Sequence, residues 1–137
     1  MLPSADLKDH MSSDPVTIGP DASLIDAVQL IIKHSISGLC VVDETHRLLG
    51  VLSEVDCLQG FLNATYNQTS AGKVSEYMTR EVDVARLNEN IINVASEMMS
   101  KNQRRRPVVE DTKLIGQITC RHLLAAVNEF SLAKTKA

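Results

Sequence analysis

Residues 38–58 read GLCVVDETHRLLGVLSEVDCL, and residues 105–124 read RRPVVEDTKLIGQITCRHLL. Both stretches contain, in the same order, a valine pair, a polar turn, an apolar run around a glycine, and a hydroxyl residue. Three aligned pairs measure the repeat: Met11 with Met78 and Val41 with Val108, each 67 positions apart, and Gly50 with Gly116, 66 positions apart. A duplicated unit this short cannot bury its own apolar face. We therefore expect the two copies to pack on each other, with any ligand in the clefts between them.

Hydrophobic periodicity gives each copy the order strand, helix, strand, strand, helix, which predicts an α+β fold. In the first copy we predict a strand at 16–18, a helix at 24–34 after the N-cap Ser23, strands at 39–42 and 48–52, and a helix capped by Ser53 with Val55, Leu58, Phe61 and Leu62 facing inward. In the second copy we predict a strand at 82–85, a helix after the N-cap Asn90, strands at 107–109 and 114–118, and a helix capped by Thr119 with Leu123, Leu124, Ala126 and Val127 facing inward. The chain then divides into repeat 1 at 1–62, a polar linker loop at 63–72, repeat 2 at 73–130 and a fraying tail at 131–137.

The composition limits the classes of partner. Two Phe, two Tyr and no Trp predict an aliphatic core and argue against single-stranded nucleic acid, which binds by stacking on aromatic rings. The net charge is −3, and the only basic cluster, 104–106, is too short for a nucleic-acid footprint. There is no N-terminal signal peptide and no apolar run of about 18 residues, so we expect a cytoplasmic protein without a membrane segment.

The reactive side chains do not form a catalytic or metal-binding pattern. The three cysteines lack metal-ligand spacing, and their odd number is typical of a reducing compartment. Cys120 follows Thr119 at a helix start, where a thiol can serve as a redox switch, but we expect a small buried residue there. The four histidines show no HExxH spacing, and no nucleophile is paired with a base. We therefore expect neither a metal site nor an enzyme.

The chain resembles a tandem pair of CBS domains, the small regulatory repeats named after cystathionine β-synthase; such a pair is often called a Bateman module. The resemblance covers almost the whole chain and rests on features found in both copies: Met-x3-(Pro/Val)-x-(Thr/Val), (Cys/Pro)-Val-Val-(Asp/Glu) and Gly-x-(Leu/Ile)-(Ser/Thr). It implies two intertwined repeats related by a pseudo-twofold axis, and a homodimer formed through the helices. It also implies two clefts for adenosyl ligands such as AMP, ADP, ATP or S-adenosylmethionine, with no required cofactor.

The resemblance assigns candidate binding residues. In the family motif Gly-x-x-(Ser/Thr)-x-x-Asp the hydroxyl contacts phosphate and the acid accepts hydrogen bonds from ribose; Gly50, Ser53 and Asp56 match it. Family members often carry an arginine two positions before the proline slot, facing the phosphates, and Arg105 and Pro107 match that pattern. Where the second copy has Arg105, the first has Gly38. The backbone and apolar wall for adenine would come from residues that a core needs equally: Thr17, Ile18, Ile36, Leu39 and Val84.

The residues themselves support this assignment in the first copy. Ser53 stands at a helix N-terminus, where unpaired N–H groups and the helix dipole favour an anion. Asp56 lies three positions on, and an ionised carboxylate accepts hydrogen bonds only, which suits a diol that donates two. The alternative is that Ser53 is a plain N-cap and Asp56 an ordinary first-turn acid.

The second copy departs from the motif. Thr119 keeps the hydroxyl, but His122 stands where the acid is expected, and a neutral imidazole offers one acceptor. Either this second site is lost, or a protonated His122 meets a phosphate. Arg105 is suited to bidentate phosphate binding. The alternative is that the arginine cluster is a solvated charge run.

Two functions follow from these residues. The first is a stand-alone regulatory module that binds an adenosyl ligand without turning it over and signals to a separate effector protein. The alternative is a dimerisation or protein-interaction module with degenerate clefts that bind nothing.

Overall fold

Alternating helices and strands make up residues 3–136, the part of the chain that the computed structural model describes. Ala137, in the predicted tail, lies outside the described residues. The elements are a short 3-10 helix at Leu7–Asp9, then β1 (Thr17–Ile18), α1 (Leu24–His34), β2 (Gly38–Val42), β3 (Leu48–Ser53), α2 (Glu54–Asn67), α3 (Val74–Tyr77), α4 (Ile91–Ser100), β4 (Arg105–Glu110), β5 (Lys113–Thr119) and α5 (Cys120–Lys136). The predicted α+β class is confirmed.

The chain forms two compact units. The continuous unit is Pro15–Val82, and the discontinuous unit joins the residues up to Asp14 with those from Asp83 onward. We call the first residues of each repeat its lead-in segment, up to Asp14 in repeat 1 and from 73 to Val82 in repeat 2. Each lead-in segment lies in the unit that is built mainly from the other repeat. The predicted bounds 1–62 and 73–130 describe the duplication in the sequence and not these two units. They stay a prediction.

The continuous unit contains a three-stranded sheet with the order β1-β2-β3. β1 runs parallel to β2, and β3 pairs with β2 as an antiparallel hairpin in which Gly38 lies opposite Ser53. Every residue of β2 is buried, as its unbroken apolar sequence predicts. The core beneath it includes Leu24, Ala27 and Ile31, which are the inward stripe of α1.

The discontinuous unit contains the antiparallel hairpin β4-β5, in which Arg105 lies opposite Thr119. The predicted strand at 82–85 does not form. Only Ala85 pairs with β4: its N–H donates to Pro107 at 2.9 Å, and its carbonyl accepts from Val109 at 3.0 Å. One residue with both ladder bonds is a bridge, because a strand needs successive residues to pair.

The two lead-in segments pack against the two aligned glycines. In the continuous unit Thr79 exchanges backbone hydrogen bonds with Val51 at 2.8 and 2.9 Å, and a Cβ on Gly50 would overlap the Thr79 carbonyl. In the discontinuous unit Ser12 exchanges bonds with Gln117 at 2.9 and 2.8 Å, and a Cβ on Gly116 would overlap the Ser12 carbonyl. Each glycine is thus required for close approach of a neighbouring backbone.

The helix ends follow from local chemistry. The hydroxyl of Ser23 accepts from the N–H of Ile25 at 3.1 Å, and the amide oxygen of Asn90 accepts from the N–H of Ile92 at 2.8 Å. Both residues are the predicted N-caps, each typically contributing about 1 kcal/mol. α1 ends at His34, as predicted, and its C-cap Ser35 has a left-handed φ of 52°.

Several expectations about the second helix of each copy are wrong. α2 continues to Asn67, so the first half of the predicted loop is helical, and α5 continues to Lys136, so residues 131–136 are helical rather than a frayed tail. α2 buries Cys57 and Gly60, because Leu24 and Tyr77 pack where a Gly60 side chain would be. The residues predicted to face inward but found exposed are Val55, Leu58, Leu62, Leu124 and Val127.

No helix in the described range combines the length and apolar composition needed to cross a bilayer.

The close approach at the aligned glycines is testable. Gly116→Ala should lower the free energy of unfolding by about 1–3 kcal/mol, because the methyl group meets the Ser12 carbonyl and the backbone must move. Gly19→Ala is the matched control: a Cβ there meets nothing within 4 Å, and the change should stay within about 0.5 kcal/mol. Urea unfolding of both variants measures the difference, and equal midpoints would show that the packing at Gly116 is not as described.

Candidate functional site

A reciprocal capping box begins α2 and joins two of the predicted site residues. The N–H of Asp56 donates to Ser53 Oγ at 3.0 Å, and the N–H of Ser53 donates to Asp56 Oδ2 at 2.9 Å. This is the plain capping role foreseen as the alternative. It also fixes the carboxylate, whose second oxygen, Oδ1, accepts no hydrogen bond from the described part of the chain. Asp56 is only half-buried, so this oxygen can accept from a ligand.

The start of β2 lies beside this capping box. Gly38 pairs with Ser53, and the N–H of Glu54 donates to the carbonyl of Ser37 at 2.9 Å. A Cβ on Gly38 would come within 2.9 Å of the Leu52 carbonyl, so the backbone is tight here. The structure thus brings Gly38, Ser53 and Asp56 together at one end of the sheet. Sequence analysis did not find Ser37, because a backbone acceptor leaves no pattern in the side chains.

The other residues of this unit that were predicted to bind a ligand differ in how much of their surface is exposed. Gly50 is committed to Thr79, and Ile18 and Leu39 are core residues with 8% and 3% exposure. Thr17 and Ile36 are half-buried and have surface left for contact. The sequence left open whether Ile18 and Leu39 form an apolar wall for adenine or the core. Their low exposure favours the core.

A cavity of about 490 Å³ lies at the other end of β2. Thr17 and Ile18 contribute to it, together with Val42, Asp43 and the turn after β1. Ser53 and Asp56 do not line it, because Ser53 pairs with Gly38 at the start of β2 and Val42 is its last residue. The smaller cavity of the discontinuous unit, about 220 Å³, is lined by the corresponding segments, which include Arg86, Leu87, Glu110 and Asp111.

The discontinuous unit repeats the capping box with a histidine. The N–H of His122 donates to Thr119 Oγ1 at 3.2 Å, and the N–H of Thr119 donates to His122 Nδ1 at 3.2 Å. A backbone N–H can only donate, so Nδ1 carries a lone pair and the neutral ring bears its proton on Nε2. Burial lowers the pKa of His122, which keeps the ring neutral.

The three arginines have different surroundings. Arg106 is 2% exposed on the core side of β4, where its Nε donates to Gln103 Oε1 at 2.7 Å and its Nη1 lies 3.3 Å from Glu97. Arg105 is half-buried, lies opposite Thr119 and is hydrogen-bonded or charge-paired within the chain. Strand alternation separates them, since successive side chains point to opposite faces. The arginine run is therefore not a solvated stretch throughout, and only Arg104 is exposed.

The same network fixes the loop before β4. Gln103 Nε2 donates to Asp83 at 2.6 Å, and Lys101 pairs with Asp83 at 3.2 Å. The Gln103 hydrogen bond, aided by Lys101, holds the pKa of Asp83 below its ordinary value. Sequence analysis missed this cluster, because its members are 18 to 20 positions apart.

Three further residues named from the sequence lie in the discontinuous unit. Val84 is half-buried next to the Ala85 bridge, and Pro107 is buried in β4. Cys120 is exposed, so the expectation that it is buried is wrong. Its N–H donates to the Arg104 carbonyl at 2.9 Å, which is the counterpart of the Glu54–Ser37 bond. Among the described residues, no three His, Cys, Asp or Glu side chains are grouped so as to hold a metal ion.

Comparison with known proteins identifies the family. The model of the CBS domain matches residues 6–63 and again residues 74–129, so the chain belongs to the CBS domain family and contains two copies. The resemblance noted in the sequence is confirmed.

Known CBS domain pairs share this fold. The crystal structure of Arabidopsis thaliana CBSX2 in complex with AMP is 28% identical with a TM-score of 0.84, covering 93% of this chain and 99% of that one. The CBS domain pair of protein MJ0100, crystallised with 5′-methylthioadenosine and S-adenosyl-L-methionine, is 29% identical with a TM-score of 0.76, covering 89% of this chain and 98% of that one.

A curated relative is much longer. The L-aspartate semialdehyde sulfurtransferase of Methanocaldococcus jannaschii is 32% identical over 114 residues, which are 82% of this chain but 21% of the enzyme. The chain thus spans about a fifth of the length of that relative, and the match is about as long as the two CBS domains together.

The histidine capping box makes stability depend on pH. The folded pKa of His122 is lowered, so the neutral ring stabilises the fold at pH values above the ordinary histidine value of about 6.5, and this contribution is lost as the pH falls through the folded pKa. The melting temperature of the wild type should therefore fall between pH 7.5 and pH 5 by more than that of His122→Asn, which keeps an acceptor but does not titrate. His46→Asn is the control, since His46 is exposed, with a φ of 68° that Asn tolerates. If His46→Asn removes the fall in melting temperature between pH 7.5 and pH 5 and His122→Asn does not, then the pH dependence does not come from His122.

Proposed function

We propose that the protein is a regulatory module that binds an adenosyl ligand, such as AMP, ADP, ATP or S-adenosylmethionine, at the start of α2 in the continuous unit. The observation that carries this proposal is the capping box, which holds Asp56 while leaving Oδ1 able to accept hydrogen bonds. Two vicinal ribose hydroxyls donate to a carboxylate with suitable geometry. That two related CBS pairs were crystallised with AMP or with S-adenosylmethionine and 5′-methylthioadenosine supports the ligand class.

The rest of the ligand would meet groups of the same end of the sheet. The N-terminus of α2 favours a phosphate or another acceptor near Ser53. Gly38 keeps the start of β2 free of a side chain beside the capping box, and the half-buried Ile36, two positions before it, offers an apolar contact. None of these residues pairs a nucleophile with a base, which supports binding without turnover.

Regulation would proceed through differential affinity. A ligand that prefers one of two arrangements of the protein shifts their populations, and a separate effector protein would read that shift in the cytoplasm. No disulfide joins the three cysteines, all of which lie in the described part of the chain, and this is compatible with a reducing compartment.

Removing the acceptor at Asp56 tests the proposal. In Asp56→Asn the amide oxygen can still accept from the Ser53 N–H, as Oδ2 does in the wild type. The group at the position of Oδ1 becomes an NH₂ donor instead of an acceptor. We expect the affinity for AMP or S-adenosylmethionine in isothermal titration calorimetry to fall at least about tenfold, because charge-assisted hydrogen bonds are lost. Glu54→Gln, which removes the same charge from the same helical turn, should leave the affinity within about threefold. If the wild type binds none of AMP, ADP, ATP and S-adenosylmethionine, the alternative function, an interaction module with degenerate clefts, is favoured.

Dimerisation through the helices is the second part of the proposal. In the continuous unit α1 and α2 expose Ile32, Val55 and Leu58, and between them lies a groove of about 380 Å³ with largely apolar residues. In the discontinuous unit α4 and α5 expose Met99, Leu124 and Val127. Contiguous apolar helix faces of this kind mark protein interfaces. A second copy of the chain is the proposed occupant, since the duplication gives both units a face of the same chemistry.

A charge placed in the groove should disrupt this dimer. Leu58 is 63% exposed, so Leu58→Glu should leave the fold intact while weakening association by about a hundredfold or more through a buried, unpaired carboxylate. Gln59→Glu adds the same charge one position away, outside the groove, and should remain dimeric. Sedimentation velocity distinguishes the two. A wild-type protein that is monomeric at all accessible concentrations would contradict the proposed dimer.

A further inference from the structure

A short segment begins where the chain enters the discontinuous unit, after Val82. We call residues 83–85 the strap. At the start of the strap the carboxylate of Asp83 accepts from Lys101 at 3.2 Å and from Gln103 at 2.6 Å. At its end the backbone of Ala85 forms the two-bond bridge to β4. Of the three strap side chains only the methyl group of Ala85 is buried, so the strap adds little apolar area to the core.

The residues that hold Asp83 surround a buried guanidinium. Gln103 links the two, because its amide donates to Asp83 and its oxygen accepts from Nε of Arg106 at 2.7 Å. Nη1 of Arg106 pairs with Glu97, whose side chain is 53% exposed. Nη2 is buried and has no hydrogen-bond partner among the described residues. A buried guanidinium with an exposed counterion and an unpaired nitrogen is poorly compensated for its lost hydration.

The first copy of the repeat has an apolar cluster at the equivalent positions. Counted back by 67 positions, Asp83, Glu97, Gln103 and Arg106 correspond to Val16, Leu30, Ile36 and Leu39, and Lys101 corresponds to the exposed His34. The four apolar residues belong to one core cluster. Beside them Thr17 and Ile18 pair with β2 at two successive positions, where the strap makes a single bridge. The same scaffold therefore holds this segment by apolar packing in one unit and by a charged network in the other.

We propose that the strap is a releasable element, which opens from β4 while the rest of the discontinuous unit stays folded, and that the charged network around Arg106 sets how often it opens. Segments open locally where few apolar contacts are buried and where water can replace the hydrogen bonds. The side chains of Asp83 and Lys101 are 43% and 46% exposed, so water competes for their contact.

Opening of the strap would change the edge of β4. It would free the Pro107 carbonyl and the Val109 N–H, which the bridge to Ala85 now occupies. The protein would then have a second arrangement, and a partner that binds only one of the two would shift their populations. The opening is a property of the chain itself and does not depend on the proposed adenosyl ligand.

Native-state hydrogen exchange followed by NMR tests the proposal. In the wild type the Ala85 N–H, corrected for its intrinsic rate, should exchange at least about tenfold faster than the N–H of Ala126, a buried residue of α5 that reports opening of the whole unit. Asp83→Ala should accelerate exchange at Ala85 by a further factor of about ten and leave Ala126 unchanged, because only the strap loses its bonds. Glu81→Ala, which removes an exposed carboxylate two positions earlier, is the matched control and should change neither rate.

A converse variant gives the strap the residues of the first copy. With Asp83→Val, Glu97→Leu, Gln103→Ile and Arg106→Leu combined, the Ala85 N–H of a folded protein should exchange as slowly as that of Ala126. Fast exchange at Ala85 in this folded variant would overturn the role of the charged network. Equal rates at Ala85 and Ala126 in the wild type, or an Ala85 rate that Asp83→Ala leaves unchanged, would overturn the proposal even if the combined variant does not fold.

Discussion

The packing of a lead-in backbone against an aligned glycine is the constraint on which both units depend. Thr79 on Gly50 and Ser12 on Gly116 each add a backbone bridge to the outer strand of a hairpin, β3 in the continuous unit and β5 in the discontinuous unit. An isolated hairpin is only marginally stable, so the added segment and the residues that precede it complete the core. Val74 and Leu7, both fully buried, are those residues. Because each lead-in segment lies in the unit built mainly from the other repeat, neither repeat contains all of its own core.

This arrangement also separates two roles that the family motif combines. Gly50 and Ser53 belong to one motif, yet Gly50 serves the packing of Thr79 and Ser53 serves the start of α2. A glycine required for close backbone approach is required whether or not a ligand binds. The presence of the glycine in both copies therefore reports on the fold, whereas the hydrogen-bonding group at the start of the following helix is set by the side chain at Asp56 or His122.

Sequence periodicity predicted those elements whose inward stripe is regular. The helix at Leu24–His34 matches its prediction, as do the N-caps Ser23 and Asn90, because capping and periodicity are local. The strand expected at 82–85 failed, since pairing depends on a partner outside the segment. The inward faces of α2 and α5 were misjudged for a related reason. A stripe of Leu and Val marks an apolar face, but Gly60, which allows α2 to approach the core, carries little hydrophobic signal. In α5 the predicted Leu123 and Ala126 are buried, whereas Leu124 and Val127 are exposed. At the candidate site, Ser53 and Asp56 were assigned through the motif of the family that the sequence resembles, while the Ser37 carbonyl and the buried Arg106 depend on the strand register.

The capping boxes explain how two copies of one scaffold can differ in chemistry without a difference in fold. The third residue of the helix must offer an acceptor to the N–H of the capping residue, and both a carboxylate and a neutral imidazole satisfy that need. Once this bond is made, a carboxylate still has an acceptor left, and an imidazole has only a donor. The backbone of α5 therefore begins as that of α2 does, and the fold tolerates either residue. A substitution that the helix tolerates can change the hydrogen-bonding group exposed at the helix start, and this is a position at which the two copies differ while the local backbone stays the same.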